Sequence, residues 1–200
     1  MVNGLGDSGM GELRDLLPRV LPQVTPCPPS VALDALQAAA VEFCAATGVW
    51  ADRIDEVLPA GECLLRADAP RGTAIVRLRG VWMDGRRVDA GGYATDGALL
   101  RLHTPPRQDV ALTLEAVLRP LRHGERVPAA LLEEWGDALV WGALARLKAM
   151  GGRHVAWGDA QGAAMNNQLC NEAAARARAR TLRRRHGDGR GALRLGGGGF

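Results

Sequence analysis

The stretch "GTAIVRLRGVWMDGRRVDA", residues 72–90, changes the period of the chain. Val76, Leu78, Gly80 and Trp82 fall two apart, which puts them on one side of an extended strand. Asp84-Gly85 then offers the left-handed backbone that a two-residue hairpin turn needs. The same alternation recurs downstream. A second Asp-Gly at 96–97 precedes "ALLRLHTPP" (98–106), and "DVALTLEAVLRP" (109–120) sets Val110, Leu112, Leu114, Ala116 and Leu118 against Ala111, Thr113, Glu115 and Val117. Residues 50–120 therefore read as a small antiparallel β domain, a sandwich or a strongly curved sheet.

On both sides of this block the period is helical. "GELRDLLPRVL" (11–21) reads as a short helix interrupted near Pro18. In "PCPPSVALDALQAAAVEFCAATG" (26–48), Ser30 is placed to cap a helix whose Leu33, Leu36, Ala40 and Phe43 recur at steps of three and four, and Gly48 to end it. "VPAALLEEWGDALVWGALARLKAMGG" (127–152) predicts a helix opened by Pro128, acidic early and basic late, as the helix dipole prefers. Its Leu131, Leu132, Trp135, Leu139, Trp141, Leu144 and Leu147 wrap around more than one face. Ala138, Gly142 and Ala145 leave room for a neighbouring helix, and Gly151-Gly152 stops the run. A last long helix is expected from Asp159 through Met165, Leu169, Ala173 and Ala177 to Arg185. The expected fold class is α+β: a helical bundle of about four helices with an inserted antiparallel β domain and an extended C-terminal arm. The divisions are 1–49 (N-terminal helices), 50–120 (β insertion), 121–186 (C-terminal helices) and 187–200 (Gly-rich arm).

Charge is distributed unevenly. The chain carries +3, yet residues 171–200 hold eight Arg against Glu172 and Asp188, which leaves residues 1–170 net acidic. A basic nucleic-acid-binding domain ordinarily wears its charge on a folded face, whereas here it is confined to one helix end and the tail beyond it. The cysteines Cys27, Cys44, Cys63 and Cys170 form no C-x-x-C pair and have no His at metal-ligand spacing, so free thiols are expected. No basic segment followed by an apolar run opens the chain, and no stretch of 18 or more apolar residues occurs, so the expectation is a chain that stays where it is made.

Motifs for catalysis are sparse. "GLGDSG" (4–9) matches G-x-G-x-x-G but lacks the preceding strand that a dinucleotide site requires. His103, His123, His154 and His186 have no carboxylate or nucleophile at a spacing that suggests a unit, and Ser8 and Ser30 are the only serines. No catalytic residue, metal ligand or cofactor is assigned, and the reading is non-enzymatic. The five tryptophans, at 50, 82, 135, 141 and 157, read as core rather than as a base-stacking platform.

"AAARARARTLRRRHGDGRGALRLGGGGF" (173–200) is the most distinctive segment. Arg176, Arg180 and Arg184 recur every fourth residue as a helical stripe with Arg183 alongside, and like charges so close need an acidic partner, phosphates or solvent. If the partner were DNA, binding would fall steeply with salt.

The order "LLPRVLPQVTPCPPSVALDALQAAAVEFCAATGVW" (16–50), "VRLRGVWMDGRRV" (76–88), "RVPAALLEEWGDALVWGALARLKAM" (126–150) and "HVAWGDAQGAAMNNQLCNEAAARARAR" (154–180) resembles the head-to-tail adaptor (connector) proteins of short-tailed phages, the group that includes tail tubular protein A. The likeness runs over about residues 11–185, with Val127 where the pattern has Leu before Pro128. It implies a structural virion protein: a homo-oligomeric ring of about twelve copies that docks beneath the portal protein, extends the DNA channel and offers a platform to a tail or nozzle protein. Genomic DNA would pass through without sequence-specific binding. The resemblance also implies synthesis in the bacterial host cytoplasm and a final place in the neck of the virion. By the same implication Arg176, Arg180, Arg183, Arg184, Leu193, Leu195 and Phe200 would dock on the portal, as an arm that orders on binding. The alternative is a DNA-binding protein that holds phosphates with its Arg-rich helix.

Overall fold

The computed structural model describes residues 9–152 and 155–188, with side chains as far as Arg183. Within them the chain is α+β, with four α-helices and nine strands, every strand pairing antiparallel. Strand β1 (Met10–Glu12) is followed by a 3-10 turn, helix α1 (Leu17–Val20) and a second 3-10 turn. The single helix expected over 11–21 is thus broken into short turns, because Pro18 and Pro22 each withhold a backbone donor. Even so, Leu13, Leu16, Val20 and Val24 along it are buried.

Helix α2 (Pro29–Thr47) begins with Pro29 at its first position and Pro28 as the extended residue before it. Ser30, expected as the cap, lies one position inside the helix and makes no capping bond; the two prolines have taken over the start. The C-terminus follows expectation, with Gly48 in the left-handed region at φ 62°. By length and composition α2 could cross a bilayer, but half of it is buried inside this protein.

After α2 come β2 (Ala51–Leu58), β3 (Leu64–Arg66), β4 (Thr73–Met83), β5 (Arg86–Arg87), β6 (Tyr93–Asp96), β7 (Leu99–Leu102) and β8 (Val110–Pro120). They form a four-stranded sheet in the order β2-β8-β4-β5 and a three-stranded sheet in the order β3-β7-β6. Both Asp-Gly pairs lie at hairpin turns, with Asp84 and Gly85 left-handed between β4 and β5, and Gly97 left-handed between β6 and β7. Leu58, Leu78, Val81, Leu100, Leu102, Leu112, Leu114 and Leu118 of the two sheets share one apolar core.

Two expectations for the sheet need correction. Register shifts between Ile75 and Arg77 and between Leu78 and Gly80 break the simple alternation of β4. Each bulge adds a residue and turns the strand, so the core receives Leu78 and Val81 with Ile75 and Met83, while Trp82 lies on the other side. On β8, Val117 is buried although its alternation sets it outward, because α2 packs against this strand.

Strand β9 (Arg126–Pro128) pairs with β1 and leads into helix α3 (Ala129–Lys148); helix α4 is Ala160–Asp188. The ribbon of β1 and β9 was not expected, since three residues are too few to display a period. Gly11 permits it to lie close to α3, for a Cβ there would meet Leu132 Cδ1 at 2.5 Å. A second core joins Leu13, Leu16, Val20 and Val24 to Leu36, Ala40 and Phe43 of α2, Leu139, Ala143, Leu144 and Leu147 of α3, and Ala173 and Ala177 of α4. Trp50 packs against both cores.

Candidate interaction surface

Helices α3 and α4 run antiparallel. Lys148 at the end of α3 is 3.5 Å from Asp159, which stands just before α4; Gly142 lies against Cys170 in the middle; Glu134 pairs with Arg180 near the start of α3. Asp159 fixes the start of α4 by accepting the Gly162 backbone N–H at 2.8 Å. This bond, more than the neighbouring Lys148, holds its carboxyl below the ordinary carboxylate range, against a smaller opposing effect of desolvation.

The buried side of α4 is made of Ala163, Asn166, Ala173, Ala174 and Ala177, and Asn166 donates to the Gly162 carbonyl at 2.7 Å. Small side chains bring the helix close to its neighbours. Met165 is 59% exposed, because the packed stripe runs one position away. Beyond Ala177 only Thr181 is half-buried among the described side chains, while Arg178, Arg180, Leu182 and Arg183 face solvent.

The described members of the arginine stripe are therefore on the surface, with Arg180 already engaged. Arg176 and Arg178 are exposed, Arg180 is held by Glu134, and Arg183 Nε approaches the Ala179 carbonyl at 3.5 Å. The Arg184 side chain and all of Leu193, Leu195 and Phe200 lie outside the described residues, as do Gly4–Ser8 of the glycine-rich motif, His154 and the His186 side chain. Helix α4 continues to Asp188, past the residue 186 boundary drawn for the last helix.

A groove of about 550 Å³ opens between α2, α3 and α4, lined in part by Ala39, Phe43, Gly142, Ala145, Ala163 and Ala174. Glu42 and Arg146 form an ion pair across its wall. Cys170 also lines it, and its thiol is pushed up by burial first and then by Glu42, with Arg146 opposing. A raised thiol is a poor nucleophile, and no histidine stands in the lining to activate it. His103 is occupied elsewhere, with Nδ1 at 2.8 Å from the Gly91 carbonyl. The four thiols are unpaired by disulfides, and among the described residues no group of three or more His, Cys, Asp or Glu could hold a metal ion.

Trp50, Trp135, Trp141 and Trp157 are partly buried against the helical core, whereas Trp82 sits on the outer face of the four-stranded sheet. Its indole overlies Gly80, where a Cβ would meet the ring at 2.7 Å, and the Arg53 and Arg87 guanidiniums lie 5.6 and 5.8 Å from its centroid. Sequence spacing carried no sign of this stack, since its arginines come from β2 and β5, on either side of β4. Such cation–π contacts stabilise by about 0.5–1 kcal/mol at exposed sites.

Compared with known proteins, the chain matches no family model, and no curated protein is detectably similar to it.

Proposed function

We propose that the chain is a head-to-tail adaptor of a short-tailed phage, a non-enzymatic ring subunit that docks beneath the portal, prolongs the DNA channel and carries the tail. The observation that carries this reading is the pairing of a basic α4 end, whose Arg178, Arg180 and Arg183 face solvent beyond Ala177, with a body that is net acidic. In the proposed architecture the helices flanking the β sheets form one bundle and the sheets hang from it as an inserted side domain. Supporting this, α2, α3 and α4 contribute to one apolar core and the two larger sheets to another.

Assembly is then the mechanism. Arg176, Arg180, Arg183 and Arg184 meet acidic groups of the portal, with the apolar Leu193, Leu195 and Phe200 as anchors beyond them. For Arg180 docking means exchanging Glu134 for a portal carboxylate, a swap of one exposed ion pair for another that costs little. The body's negative charge keeps DNA from adhering as it passes.

The test is to mix the full chain with portal rings and measure the mass of the product, beside a chain ending at Asp188 and a variant with the four arginines changed to Glu. Addition by the full chain alone supports the arm; addition by all three removes its role. Failure of all three, with binding of the full chain to DNA that weakens by about 0.9 log units per contacted phosphate for each log unit of salt, favours the phosphate-binding alternative.

A further inference from the structure

The β sheets carry two outer faces that are unlike each other. On the three-stranded sheet, Leu65, Leu100 and Leu102 point to the core, and the alternate positions point away. Register there sets Leu64 opposite Arg101 and Arg66 opposite Leu99, with Ala94 and Asp96 of β6 beside them. Leu64 is 48% and Leu99 36% exposed. Neither arginine forms an ion pair among the described residues.

Across the shared core, β2 turns Arg53, Asp55 and Val57 outward. Arg53 leans on Trp82, which leaves Asp55 and Val57 at the far end of the strand. Val57 is 64% exposed and lies opposite Ala111. Three carboxylates lie at this end of the sheet: Asp55, two positions before Val57 on the same strand, which accepts from Thr113 Oγ1 at 2.7 Å; Asp84, across β8, which accepts the Ala111 N–H at 3.2 Å; and Asp109, just before β8, which accepts the Ala60 N–H at 2.8 Å. These bonds hold the acids in place at the same end of the sheet as an open apolar side chain.

We propose that these two faces pair between copies of this chain, the Leu64, Leu99, Arg66 and Arg101 face of one copy covering the Val57, Asp55, Asp84 and Asp109 corner of the next. The first face is net basic, with Arg66 and Arg101 against the single carboxylate of Asp96, and the second is acidic, so the two carry opposite net charge beside their apolar side chains. A contact of this kind uses a different surface on each partner, so it propagates from copy to copy and closes into a ring when the rotation between copies allows. It rests on the ring reading above for that closure, and it specifies the β sheets as a lateral contact separate from the α4 docking end.

The experiment measures the mass of the full chain against concentration by sedimentation, for the wild type, for Arg66→Glu/Arg101→Glu, for Asp55→Lys and for an equimolar mixture of the two variants. Circular dichroism confirms that each is folded. Wild type is expected to self-associate, and each variant alone to do so at least about tenfold more weakly, because like charges then face each other. Mixing is expected to restore association, since each reversed face meets its reversed complement. Wild-type association that no substitution weakens, its absence at every concentration reached, or a mixture that stays apart overturns the pairing. Portal addition is scored in parallel. Wild-type chains that associate through these faces but never add to a portal sink the adaptor reading alone; chains that add to the portal and ignore all the substitutions sink the pairing alone.

Discussion

Arg79 of β4 donates from Nη2 to the carbonyl oxygen of Gly48, 2.7 Å away, at the left-handed residue that ends α2. Arg77 on the same strand donates to the Ala45 carbonyl at 3.1 Å. The last carbonyls of a helix lack partners within it and carry the negative end of its dipole, so two guanidiniums there both satisfy and neutralise it. The helical core and the larger sheet are joined by this cap.

Removing the joint should therefore be felt throughout the chain. Arg79→Ala is expected to lower stability by about 1–3 kcal/mol, the range for a partly buried bond to a charged group. Gly48→Ala should cost more than about 1 kcal/mol, because φ is positive there and a Cβ would collide with Arg79 Nη2. Denaturant melts of the two variants and their double mutant check this; the second loss should be smaller when the first has been made.

Gly142 stands where α2, α3 and α4 converge, and a Cβ on it would lie 3.0 Å from Ala39 Cβ and 3.3 Å from Cys170 Sγ. Gly142→Leu is expected to destabilise by about 1–3 kcal/mol through overpacking, outweighing the better helix propensity of leucine. Thermal unfolding followed at 222 nm on the helix signal reads it.

Acid should weaken the start of α4. The Asp159 carboxyl is held below its ordinary value in the folded chain by the Gly162 N–H, so its contribution is present above the unfolded carboxylate pKa and is lost as pH falls through the folded one. Asp159→Ala is expected to lower Tm at neutral pH. The gap from wild type should close in strongly acidic solution, where both lack the charge; a gap independent of pH would mean that Asp159 acts by packing.

Alkali acts through the thiols. Burial pushes Cys44 up to about 12, and also raises Cys27 and Cys170. A thiol raised on folding stabilises fully below its unfolded pKa, and that part is lost as pH rises toward the folded value, so stability should decline from about pH 9 upward. Cys44→Ala should lessen the decline. In the native chain, iodoacetamide should leave Cys44 unlabelled until denaturant is added, which mass spectrometry can follow.

Much of this fold was legible where one residue type decides a local conformation. Asp84-Gly85 and Gly48 have no cheaper alternative to a turn and a helix end, and the alternation of Val110 to Leu118 survives in the packed strand. What escaped was set by distant chain. The bulges of β4 rotate Trp82 out of the core, Val117 is covered by α2, and β1 finds β9 across more than a hundred residues. The arginine stripe could be read from spacing of four, but the engagement of Arg180 by Glu134 could not, because it depends on how α3 and α4 pass each other.

That passage has a practical corollary. Gly9 accepts the Ala129 N–H at the first residue of α3, and the antiparallel α4 carries Arg180 back to the same helix beginning, at Glu134. Both ends of the described chain thus lie at one end of the α3/α4 pair, while Gly151-Gly152 marks the other. A bulky label joined at Gly9 or at Asp188 would obstruct the same end, and a tag inserted at the glycine pair would leave it clear, so comparing the three fusions assigns polarity to any assembly this chain builds.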